Sequence, residues 1–308
     1  MRPLGERLQN NNEMTAKAAF LSGFLCFIFG VNSVAIKIAL TGIGVFTAGT
    51  IRFFLASITI LLWARYKKIN ISISSKQLGE MFILTIIFVT QFSCFYNGMK
   101  LTTASHGILI ANILPFLVLI LAHFYIPDDK ITYKKAFGIM LGFIGVVILM
   151  FDEQDPTGNF LKGDLFLLVA VTLWSINAIF VKKVISRYEA VQITVYPMLL
   201  GTPILLCISL LWENPMIIKL DYAIINAVLF QSIITTAFGF LLWNSLLQRF
   251  GATSVHSFIF VMPISGVFAG VFILKESLTP YLFVAMIFIV IGITIVNFKR
   301  KRKHLPLV

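Results

Sequence analysis

The sequence predicts an all-α integral membrane protein in which ten transmembrane helices form two inverted five-helix repeats. Three observations carry that reading. Hydrophobic residues make up 58% of the 308 and charged ones only 12%, at a mean hydropathy of +0.93, whereas soluble domains carry about 25% charge. So few charges cannot build the polar exterior that a water-soluble chain of this length needs. Ten stretches are long and apolar enough to span a bilayer. Finally, FGVNSVAIKIAL (29–40) nearly recurs about 145 residues later as WSINAIFVKKVI (174–185), setting Asn32 over Asn177 and Lys37 over Lys182.

In chain order, residues 1–17 form a polar segment with Arg2 and Arg7 but no cleavable apolar core, so the first greasy run stays in the bilayer. Met14 is an alternative start. Spanning helices of about 20 residues are expected at 18–38, 45–64, 80–99, 104–126 and 134–151, then at 164–183, 191–212, 223–247, 253–274 and 280–298. The first five make one repeat (18–151), the last five a second (164–298), and residues 299–308 are a basic tail. Pro115 and Pro263 fall inside the fourth and ninth spans, and Pro197 and Pro203 inside the seventh. A membrane tolerates such kinks because neighbouring helices satisfy the freed carbonyls. Cys26, Cys94 and Cys207 lie in apolar runs without paired spacing, so they read as packing residues rather than as a disulfide or a zinc site.

An even number of spans places both termini on one side, and lysine and arginine say which. Arg2, Arg7 and Lys17, eleven residues of the even-numbered loops (Arg65, Lys67, Lys68, Lys76, Lys130, Lys134, Lys135, Lys182, Lys183, Arg187, Arg249) and the five of Lys299–Lys303 make nineteen on that side. The opposite loops hold Lys100, Lys162, Lys219 and Lys275. The positive-inside rule therefore predicts a multi-pass protein of the cytoplasmic membrane with both ends in the cytoplasm. Beside a final span, the KRKRKH tail reads as an anchor on anionic lipid, and no nucleic-acid partner is expected.

Five helices per half is an odd number, which forces the second copy to enter from the opposite face. A second match supports the pairing: YNGMKLTTASHGILIANILP (96–115) aligns with NSLLQRFGATSVHSFIFVMP (244–263), and with one residue of slippage Asp129 meets Glu276. Inverted repeats are a device of secondary transporters, in which the substrate sits near the midplane and access alternates as the halves rock. A fused dimer with no transport role is the competing explanation of the repeat.

These residues also resemble a known family, the EamA-like transporters of the drug/metabolite transporter superfamily, along nearly the whole chain. The motifs are Phe29-Gly30-Val31-Asn32, Arg52-Phe53, the small-residue turn TTASHG, and the pairs Pro115…Asp129 and Pro263…Lys275-Glu276. The resemblance implies transport of a small metabolite, amino acids and related compounds foremost, without a cofactor.

Polar groups inside hydrocarbon are costly and are default candidates for function. Asn32 and Asn177 sit mid-span at repeat-related positions, where an amide offers both donor and acceptor; their plain role is to hold the halves in register. Lys37 and Lys182 are expected to snorkel to the interfaces. Arg52 lies about 10 Å below the outer end of the second span at helical rise, with a fork suited to a carboxylate. Gln91 and Tyr96 on the third span and Gln231 and Trp243 on the eighth can line the same cavity, Thr235 sharing Gln231's face, and Trp174 and Trp243 can cap it. His106 and His256 are expected as satisfied structural histidines. None of the thirteen acidic residues falls at the centre of a span, and no Gly-x-x-x-x-Gly-Lys loop is present, so neither a buried-carboxylate proton relay nor ATP hydrolysis is indicated. The seams GIMLG (138–142) and GVFAG (266–270) suit close helix packing or a homodimer. A membrane enzyme or a channel are the alternatives; the first lacks a third acid beside Asp128-Asp129, and the second lacks a recurring polar stripe.

Overall fold

The computed structural model describes residues 14–126, 130–152, 159–184, 187–250 and 252–297. They fold as helices: α1 (Ala16–Leu40), α2 (Val45–Tyr66), α3 (Ser75–Leu101), α4 (Ala104–Ala111), α5 (Leu114–Tyr125), α6 (Tyr133–Leu149), α7 (Asn159–Val184) and α8 (Ala190–Trp212) come first. Then follow α9 (Tyr222–Leu229), a π-helical segment (Phe230–Gly239), α10 (Phe240–Phe250), α11 (Ala252–His256), α12 (Val261–Leu274) and α13 (Pro280–Asn297). Among the described residues nine helical segments are apolar and at least 18 residues long. The chain is a multi-pass membrane protein. The sixth helix has 17 residues, the short end of what crosses a bilayer.

Polar residues start these helices by taking up the first, otherwise unpaired N–H groups. Thr15 accepts from the N–H of Ala18, Ser74 and Gln77 form a reciprocal capping box, and Asp221 accepts from Ile224.

Three expected spans are interrupted. The fourth breaks at Asn112–Ile113, ahead of Pro115, whose ring excludes the preceding turn and which has no N–H to donate. The Asn112 side chain caps the end of α4, donating to the Ile108 carbonyl at 2.7 Å. The ninth breaks likewise ahead of Pro263, and the eighth widens into the π segment. Pro197 and Pro203 remain inside α8.

Packing follows a simple scheme: α3 lies on α7, α2 on α8, α6 on α13, α4 on α12, α5 on α7, and α1 on α12, α9 and the π segment. Both small-residue seams are used within the chain. A Cβ on Gly138 would lie 2.9 Å from the Gly292 carbonyl oxygen, and one on Gly266 2.6 Å from Ile108, so the missing side chains set how near α6 comes to α13 and α12 to α4. At one end of the bundle the two halves also join through backbone, with Gly44 N–H donating to the Met216 carbonyl at 2.9 Å. Asp129, Arg2, Arg7 and the basic tail lie outside the described residues.

Candidate functional site

A polar chain crosses the apolar interior from α2 to α1. The Arg52 guanidinium donates from Nη1 to the Tyr96 hydroxyl at 2.7 Å and from Nε to Thr236 Oγ1 at 2.8 Å. Tyr96 in turn donates to Gln231 Oε1, and Gln231 Nε2 donates to the Ala35 carbonyl at 3.0 Å. Thr235 Oγ1 reaches Asn32 Oδ1 at 3.1 Å. Tyr96 and Gln231 are almost wholly buried, while Arg52 and Asn32 are part-exposed. Four of the expected residues, Arg52, Tyr96, Gln231 and Asn32, are thus brought together, Tyr96 and Gln231 coming from the corresponding third and eighth spans.

The π segment explains how helix α9–α10 supplies three of these groups. Its wider turn lets both Thr235 and Thr236 hydroxyls donate to the same Gln231 carbonyl, each at 2.7 Å. Position 236, five residues on, would leave Gln231's face in an α-helix, but i→i+5 bonding keeps it there. Thr236 is the residue that α-helical spacing misses; the Thr235-Thr236 pair in a greasy run is the signal that was available.

The other expected residues form separate groups. Asn177 Nδ2 approaches Gln91 Oε1 at a long 3.4 Å, and its Oδ1 is buried without a partner. Asn177 lines a cavity of about 150 Å³ with Leu84, Phe88, Ile193, Met198 and Phe240. Trp243 packs edge-on to Phe29 and stacks on His256, with centroids 5.9 and 5.8 Å away. Trp174 is half-buried and joins none of these hydrogen-bonded groups.

Electrostatically the first group is unbalanced. Among the described residues Arg52's hydrogen-bond partners are neutral hydroxyls, and no carboxylate pairs with it. A buried or part-buried cation is normally paired. The arrangement therefore offers a charged fork, a donor–acceptor amide and hydroxyls to a small anionic or zwitterionic molecule.

Two further polar groups were not visible as such. His106, on α4, lies between Asp164 (3.0 Å from Nδ1) and Asp152 (3.4 Å from Nε2), and Asp152 also accepts from Thr279 Oγ1 at 2.7 Å. Burial alone would raise Asp152's carboxyl, but the His106 and Thr279 hydrogen bonds and the histidine's charge hold it below its usual value. His106 is thus a satisfied structural histidine. Lys37 does not snorkel: its ammonium donates to the Met99 and Thr102 carbonyls, at 2.9 and 2.6 Å.

A model of the EamA-like transporter family matches residues 16–151 and again 161–298. The chain belongs to the EamA-like transporter family. Its relatives include an uncharacterized transporter of Archaeoglobus fulgidus, 27% identical over 277 residues (88% of this chain, 95% of that one). YoaV of Bacillus subtilis, also named an uncharacterized transporter, is 22% identical and covers 90% of this chain and 95% of its own length. A protein of Salmonella typhimurium named a probable amino-acid metabolite efflux pump is 25% identical over 291 residues, 92% of this chain and 95% of that one. A solved crystal structure shares the fold, with a TM-score of 0.68 at 15% identity, covering 91% of this chain and 96% of that one.

Proposed function

We propose that the chain is a secondary transporter, an exporter or exchanger, that moves amino acids or related small metabolites across the cytoplasmic membrane by alternating access. The carrying observation is the Arg52 cation within apolar helices, bonded to neutral groups alone among the described residues and linked through Tyr96 and Gln231 to α1. A carboxylate of the substrate supplies the missing counter-charge through a bidentate contact. The name of the Salmonella relative supports the substrate class. Asn177, with a free amide oxygen at the wall of a largely apolar cavity, suits an ammonium or other N–H donor on a substrate with an apolar side chain.

Ten spans in two inverted repeats, with both termini cytoplasmic, complete the reading. Exchanging the two halves leaves the packing scheme unchanged: α3 on α7 becomes α9–α10 on α1, α1 on α12 becomes α7 on α5, and α2–α8 and α6–α13 map onto themselves. Such invariance is what a two-fold relation between halves requires, and the odd helix count makes that axis lie in the membrane plane. Reporter fusions after residue 156 and after residue 308 should report opposite sides; equal reports would remove the inverted arrangement.

Ligand stabilisation tests the substrate class, because a molecule that binds the native state raises its melting temperature. Amino acids should stabilise the purified protein and their decarboxylated amines should not. Asn32→Ala and Asn177→Ala should each weaken the apparent affinity several-fold, the loss of one hydrogen bond of about 0.5–1.5 kcal/mol. The double variant should depart from additivity if both amides touch one ligand; variants that fold normally and keep native affinity would exclude the asparagines from the site.

A further inference from the structure

We infer that Lys37 and Glu276 form a two-charge clamp that closes the extracytoplasmic end of the transport path, resting on the alternating-access reading above. The clamp acts on the short turn between α3 and α4. There one helix ends and the next begins within two residues, so a negative C-terminal dipole end lies beside a positive N-terminal one. Lys37, in the last turn of α1, donates to the Met99 and Thr102 carbonyls at 2.9 and 2.6 Å. Glu276, just past α12, accepts from the Ala104 and Ser105 N–H groups at 2.6 and 3.0 Å and from Ser105 Oγ at 2.6 Å. Each charge meets the helix end of opposite sign, and the two attract each other.

These side chains are part of the turn's own hydrogen bonding. Of α4's first four N–H groups, Thr103 takes those of His106 and Gly107, and Glu276 takes the other two. No backbone group of the turn can replace Glu276 when it leaves. The approach depends on Gly270, where an added Cβ would stand 2.5 Å from Glu276 Oε2 and 2.6 Å from Ser105 Oγ.

The clamp also crosses the right joint. Helix α3 packs chiefly on α7 and α5 on α7, while α1 packs on α12, α9 and the π segment; α4 stands between them, against both α7 and α12. Lys37 comes from α1 and Glu276 from just past α12, and the turn they hold joins α3, on the α7 side, to α4, which borders both. Below the clamp lies the Arg52–Tyr96–Gln231–Asn32 chain, and the cavity at Asn177 lies toward the other end, against the start of α8. For substrate to leave past the clamp, the α3–α4 turn must part from α1 and α12, and both charges must let go together.

The test is a distance measurement that needs no substrate. Spin labels on Lys100→Cys and Leu278→Cys, both exposed positions, are placed in a protein whose Cys26, Cys94 and Cys207 are alanine, reconstituted in lipid. The unmodified clamp should give one short distance. Glu276→Gln should raise a longer-distance population about tenfold, the effect of losing charge-assisted hydrogen bonds, and Lys37→Met should do the same. Ser105→Ala, which removes one bond and no charge, should shift it in the same direction by less, and decides the matter alone if the charge variants do not fold. Distance distributions unchanged in Ser105→Ala and in whichever charge variants fold would overturn the clamp. A native protein that moves no metabolite in liposomes would overturn the transport reading instead, whatever the distances show.

Discussion

Arg52→Gln should lower the initial rate of amino-acid transport by about 100-fold, equivalent to losing a bidentate, charge-assisted contact worth about 3 kcal/mol. Arg52→Lys should recover little of it, because a point charge on a flexible stem does not reproduce the planar fork. The fold should survive both changes, since Tyr96 and Thr236 retain other partners, in Gln231 Oε1 and the Gln231 carbonyl. If Arg52 were instead a brace between α2, α3 and the π segment, Arg52→Gln would lower the melting temperature and leave substrate affinity intact in the folded fraction. Measuring uptake and ligand-induced stabilisation on the same preparations separates these outcomes.

Glu213→Ala should be the most destabilising single change at the α2–α8 joint, by about 3 kcal/mol. Its carboxylate accepts from the Phe46 and Thr47 N–H groups at 2.8 and 2.9 Å and from the Thr47 and Ser209 hydroxyls at 2.7 and 3.0 Å. Removing it leaves the first turn of α2 without its cap and two hydroxyls with only each other. Glu213→Gln, which keeps an acceptor but no charge, should cost less than half as much. Denaturation in detergent gives both values, and equal stability of the Ala variant and the native protein would show that the contact contributes nothing.

Helix positions were legible because bilayer length and apolarity fix them: Val45–Tyr66 against an expected 45–64, and Ala190–Trp212 against 191–212, differ by a residue or two. Breaks were less so. Proline at 115 and 263 marks both places, but whether a proline kinks a span or divides it depends on how the surrounding turns repack, which residue type alone does not state. Of the site, Arg52, Tyr96, Gln231 and Asn32 stood out because polar side chains in apolar runs are few. Their mutual contact did not, since it depends on a π segment whose i→i+5 step no α-helical wheel displays, and which admits Thr236. Lys37 and Glu276 are each legible in the sequence, one as a cation expected to snorkel and one as half of a repeat pair. Only the meeting of α3's end with α4's start, a matter of tertiary placement, shows them serving one turn.

The most direct measurement is counterflow in liposomes that contain the purified protein and no nucleotide. Liposomes loaded with an excess of an unlabelled amino acid that stabilises the protein, then diluted into a trace of the labelled compound, should accumulate label transiently above its outside concentration, and Arg52→Gln liposomes should not. Uptake that requires ATP, or label that merely equilibrates at the same rate with and without internal substrate, would contradict an alternating-access secondary transporter.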